Sequence, residues 1–143
     1  MLDTLYSQIG LLPMVLIGIF VFYKGDEPER IAMGTYLLGW MAGLLLQDDS
    51  ALLANWQPSL FALDTAMLFV FGAIAWKFRR AWPIWAASLQ LIIVMSHLVI
   101  LFDLRPGMGA FYTVLNLASY GILAAIGVGA FWAWQERRAA GLE

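Results

Sequence analysis

The sequence predicts an all-α protein, a polytopic membrane bundle of five transmembrane helices with its N-terminus outside and its C-terminus cytoplasmic. Three observations predict it. The 143 residues are 62% hydrophobic and 13% charged, with mean hydropathy +0.78; an average soluble domain carries about 25% charged residues. Five apolar stretches alternate with short polar breaks. Finally, Lys24, Arg30, Lys77, Arg79, Arg80, Arg137 and Arg138 all fall on one side of five alternating spans, and Arg105 falls on the other. That is the positive-inside pattern. A four-span count, the fallback, would lay the short second segment on the membrane surface and break the alternation.

The first span covers residues 5–23 and matches the roughly 20 residues that a hydrocarbon core of about 30 Å requires. Pro13 inside it predicts a kink. The N-terminus carries Asp3 and lacks both a basic leader and an A-x-A-like site, so it is expected to open this span rather than act as a signal peptide. Lys24 and Gly25 end it, a cation near the C-terminus and a glycine just past it. The second span covers residues 30–46. Asp26 is its expected N-cap, with Glu29 three positions on and Pro28 in the first turn. Gly39 and Gly43 are spaced for close approach of another helix.

Gln47 to Ser50 end the second span, and residues 51–58, with Leu52, Leu53 and Trp56, are expected at the membrane interface. The third span, residues 59–76, carries Asp64 and is closed by Lys77, Arg79 and Arg80. The fourth, residues 82–102, opens on Trp82 and Pro83 and carries Gln90 and His97. Residues 103–109 contain Pro106-Gly107 and read as a turn. The fifth span, residues 110–134, has a close-packing row at Gly121, Ala125 and Gly129. Gln135, Glu136, Arg137 and Arg138 begin a polar tail. The whole chain, 1–143, reads as one transmembrane domain.

Trp76, Trp82, Trp85, Trp132 and Trp134, with Tyr23, are expected to anchor the cytoplasmic interface, and Trp56 the outer one. Asp64, His97 and Asn116 fall at similar depths on three spans. With Gln90 and Tyr112 they are expected to form a polar cluster in the outer half of the bundle. Asp64 would orient or charge His97, and Asn116 would complete the hydrogen bonds. The competing reading is that these groups only hold helices together.

Several classes are excluded. There is no cysteine, so disulfides, thiolate metal sites and thiol nucleophiles are out. One histidine cannot build a multi-histidine centre within one chain, and no metal is expected. There is no motif for a cofactor, phosphate loop or hydrolytic triad, so neither a cofactor nor an enzyme is expected. Eight Lys and Arg scattered over loops leave no nucleic-acid footprint.

The residues Pro28-Glu29-Arg30, Gly39-Trp40, Gln47, Asp64, Trp82-Pro83-x-Trp85-Ala86-Ala87, Gln90 and His97, with the polar face of the last span, carry a resemblance. The chain resembles a group of small bacterial inner-membrane proteins with no assigned function. The resemblance covers most of the chain and implies a multi-span inner-membrane protein. The expected role is a structural or accessory subunit packing against a larger membrane complex. Its partners would be the bilayer and other membrane subunits or itself, with no nucleic acid. The alternatives are a small proton-coupled transporter using Asp64 and His97, or a binder of lipid, quinone or pigment.

Overall fold

A computed structural model describes residues 5–46, 57–102 and 108–142, with side chains over 11–46, 57–102 and 110–142. All regular structure among the described residues is helical: α1 (Leu5–Lys24), α2 (Glu27–Leu46), α3 (Pro58–Phe78), α4 (Trp82–Leu101) and α5 (Met108–Ala139). Three of them, α3, α4 and α5, are long and apolar enough to cross a membrane. Helices α1 and α2 fall outside that set. The described apolar stretch of α1 is Leu11–Lys24, and the first turn of α2 holds Glu27 and Glu29.

Local chemistry sets the boundaries. Helix α1 runs through Pro13 and stops at Lys24, where Gly25 N–H donates back to Val21 O at 2.8 Å. Gly25 has no room for a side chain, since a Cβ there would lie 2.6 Å from Val21 O and 3.0 Å from the Glu29 Cβ. Helix α2 begins at Glu27, directly after the expected N-cap Asp26 and three residues before the expected span. Glu29 reaches back to accept from Asp26 N–H at 3.0 Å, one half of a capping box, so the acidic turn is already helical. Pro58 and Pro83 sit in the first turns of α3 and α4, where a missing N–H costs nothing.

Helix α5 departs most from expectation. It does not stop at 134 but continues through Arg137 and Arg138 to Ala139, so the expected tail is largely helix. Residues 51–56 with Trp56, residues 103–107, and Gln47 lie outside the described residues.

The helices close into a ring in chain order, with α1 packed on both α2 and α5, and α2 touching α5 across it. The core is formed by Met14, Val21, Met33, Phe71, Ile122 and Ile126, among others. Small residues let the helices approach. A Cβ on Gly39 would lie 2.2 Å from Met67 Sδ, one on Gly121 2.7 Å from Leu89 Cδ1, and one on Gly129 2.6 Å from the Trp82 ring. Ala125 packs against the core as well. Gly43 does not join them: a Cβ there meets nothing within 4 Å among the described residues, because the α2–α3 contact falls at Gly39.

Candidate functional site

Polar side chains gather at two levels of the ring. The first is its charged end, where the α1–α2 and α3–α4 connections meet the last turns of α5. Glu29 is fully buried (0% exposed) and Oε1 accepts from both Arg80 Nη1 and Trp82 Nε1, each at 2.8 Å. Its Oε2 accepts the Asp26 N–H. Asp26 Oδ2 accepts from Arg80 Nη2 at 3.0 Å, and Oδ1 accepts from Arg137 Nη1. Arg137 also donates to the carbonyl of Lys24, one of the last residues of α1. A buried carboxylate needs this many donors, because an unpaired one would be strongly disfavoured.

Arg80 answers two acids at once. Burial alone would weaken its charge, but the hydrogen bonds it donates to Asp26 and Glu29 and their negative charges outweigh it. The guanidinium is held above its usual range. The planar fork of arginine suits this arrangement, one Nη to each acid.

At 1.5 Å per residue the second level places Asp64 about 21 Å from Phe78 along α3, and Gln90 and His97 about 12 and about 22 Å from Trp82 along α4. Here Asp64 joins two residues of α4. Its Oδ2 is 2.8 Å from His97 Nε2, and its Oδ1 accepts from Gln90 Nε2 at 3.0 Å. Gln90 also donates to the Asp64 carbonyl at 3.1 Å. An ionised carboxylate only accepts, so with Asp64 ionised this hydrogen bond requires the proton on Nε2. The Phe61 ring meets the imidazole edge-on at 6.0 Å. Gln90 is buried, whereas the His97 and Asp64 side chains stay 14% and 22% exposed.

Of the residues expected to form one polar cluster, the structure brings together Asp64, His97 and Gln90. It does not bring in Asn116 or Tyr112. Asn116 is exposed on α5, and no hydrogen bond among the described residues links either residue to Asp64 or His97. Equal depth did not translate into contact because the expected stripe on α5 points elsewhere. Its member Ser119 meets α2, with the hydroxyls of Tyr36 and Ser119 2.7 Å apart. Tyr112 packs edge-on against Phe111 on its own helix.

The tryptophans divide. Trp76, Trp85 and Trp132 are exposed, and Trp134 is half-buried between Phe20, Lys24 and Arg138. Trp82 is not an interface anchor: it is 2% exposed, because its indole N–H is needed by Glu29 and its ring fills the space over Gly129. The charged network at that end was missed as a unit. The signal for it was the acidic run at 26–29 and the basic run at 77–80, expected on the same membrane side. Among the described residues no group of three His, Asp or Glu side chains could hold a metal ion.

No protein-family model matches the chain, and no curated protein or solved structure matches it.

Proposed function

We propose that this chain is a five-span protein of the bacterial inner membrane, N-terminus outside and C-terminus cytoplasmic, that works as a non-enzymatic accessory subunit packed against a larger membrane-protein complex. The observation that carries the reading is the division of its polar and apolar groups. Glu29, Asp26, Arg80, Arg137 and Trp82 occupy one another at one end of the ring, with Glu29 and Trp82 buried. Leu38, Leu45, Phe69, Leu117 and Trp76 stand exposed around it. An exterior of this kind suits acyl chains or the helices of another subunit. At 20 residues each, α1 and α2 have the length for a core of about 30 Å. The alternation of basic residues supports the orientation.

Purification from native membranes in mild detergent, followed by mass spectrometry, tests the role. A stoichiometric membrane-protein partner is expected, and a chain that elutes alone overturns it. The absence of cysteine makes topology easy to test. A cysteine introduced at residue 142 should resist a membrane-impermeant maleimide in intact cells and react in inverted vesicles.

One observation favours a second reading, a small proton-coupled transporter. The Asp64–His97 pair lies within two apolar helices and stays partly exposed. Ionisable groups in such a place are costly and commonly serve proton movement. Proton-driven solute uptake that persists in Asp64→Asn and His97→Ala removes this reading.

A further inference from the structure

The α3–α4 connection sends two adjacent arginines in different directions. Arg80 turns inward to Asp26 and Glu29. Arg79 is exposed, and its guanidinium has no hydrogen-bond or ion-pair partner among the described residues. Its backbone is unusual as well. Arg79 caps α3 in the left-handed region, at φ 51° and ψ 31°, and its N–H donates to Ala75 O at 3.2 Å. It is the one non-glycine residue with positive φ among those described. Glycine normally takes this position, and the capping bond uses no side chain. A glycine here would cap α3 with less strain, so the arginine side chain has a role the cap does not explain.

Its neighbours indicate what that role is. Trp76, one turn back on α3, is 87% exposed, and Trp85 in the first turn of α4 is 68% exposed. Indoles displayed at helix ends settle at the headgroup level of a bilayer. Lys77 adds a second exposed cation, only loosely engaged by Glu27 at 3.5 Å. A guanidinium fork matches the geometry of a phosphate, and the cytoplasmic leaflet presents anionic headgroups.

We propose that Arg79, between Trp76 and Trp85 and assisted by Lys77, binds the phosphate of an anionic phospholipid headgroup at the end of α3. The proposal rests on the membrane reading above, since it takes this end of the bundle to lie at the inner leaflet.

The test uses the full chain in neutral detergent, titrated with phosphatidylglycerol or phosphatidylcholine, with bound lipid counted by native mass spectrometry. Wild type is expected to retain phosphatidylglycerol in preference to phosphatidylcholine. Arg79→Gly is expected to lose about fivefold in that retention, with an unchanged or raised thermal midpoint. Arg79→Lys is expected to keep most of it. Equal phosphatidylglycerol retention in wild type and Arg79→Gly overturns the proposal, as does a wild type indifferent to the two lipids. Displacement of the lipid by an equal concentration of inorganic phosphate marks a free-anion site and also overturns it. Should Arg79→Gly lower the midpoint, Arg79→Asn, which also tolerates the left-handed region, decides by the same comparison. A chain that stays in solution without detergent overturns the membrane reading itself. A chain that needs detergent yet shows no lipid preference overturns this proposal alone.

Discussion

Trp82 donates its indole N–H to Glu29 Oε1 at 2.8 Å while the ring lies over Gly129, so one side chain of α4 joins α2 to α5. The ring is rigid and held by its own hydrogen bond. Gly129→Ala is therefore expected to destabilise the bundle by about 1–3 kcal/mol through overpacking. Gly39→Ala is expected to cost less, although its Cβ would lie closer to a neighbour. That neighbour is the flexible end of Met67, which can swing aside. Gly43→Ala, with open space around it among the described residues, is expected to be neutral or slightly stabilising. Thermal midpoints of the three variants in one detergent check the order.

Glu29 is the centre of the charged network. Glu29→Ala takes from Arg80 one of its two acids and leaves the buried Trp82 N–H without its acceptor, and is expected to cost at least about 1–3 kcal/mol. Glu29→Gln keeps an acceptor for Trp82 and is expected to fall between alanine and wild type. Trp82→Phe removes one bond to a charged acceptor, about 1.5–3 kcal/mol, and leaves Glu29–Arg80 in place. Denaturant unfolding followed by circular dichroism ranks them. A Glu29→Ala variant as stable as wild type would refute the central role of Glu29.

Arg80 makes the network insensitive to alkali. Burial opposes its charge, but the bonds and charges of Asp26 and Glu29 raise its folded-state pKa above the unfolded value. A raised pKa gives stability that is complete below the unfolded value and is lost only as pH rises through the folded one. Arginine keeps its charge at every pH at which the folded protein would be handled. Arg80→Lys moves the unfolded value down to about 10.4. The midpoint difference between wild type and Arg80→Lys is therefore expected to widen from about pH 9 to about pH 11.5. A constant gap across that range would count against this account.

At the other polar level, Asp64 serves two partners of unequal burial. Asp64→Ala leaves the buried Gln90 amide without its side-chain acceptor and is expected to cost about 1–3 kcal/mol. His97→Ala leaves Asp64–Gln90 intact and is expected to cost less. A double-mutant cycle between Asp64 and His97 is expected to give a coupling of about 0.6 kcal/mol, and no more than about 1.7. A coupling near zero would mean that the two side chains do not support each other in the folded bundle.

Much of the architecture was legible because hydropathy and helix punctuation are local properties. Pro83, Lys24-Gly25 and the close-packing positions Gly39, Gly121 and Gly129 can each be read within a few residues. The Asp64–His97 pair was legible for another reason, since both are rare polar groups in apolar runs at similar depth. Asn116 shows where that argument stops. Depth is set by position along a helix, but contact also needs the right rotation about its axis, and α5 turns Ser119 to Tyr36 instead. Trp82 failed as an interface residue for a related reason. Its composition suits a membrane boundary, and only the placement of Glu29 and Gly129 reveals that the ring lies inside.

Asp26 draws on two arginines, one 54 residues downstream and the other 111. Synthesis proceeds from the N-terminus, so the first hairpin enters its environment with its acids uncompensated. Arg80 arrives with the second hairpin, and Arg137 comes last. The ring therefore closes in a fixed temporal order, and its final clasp forms only once residue 137 has been made. A chain that ends inside α5 has Asp26 held by Arg80 alone and still lacks the contact that ties α5 to the end of α1.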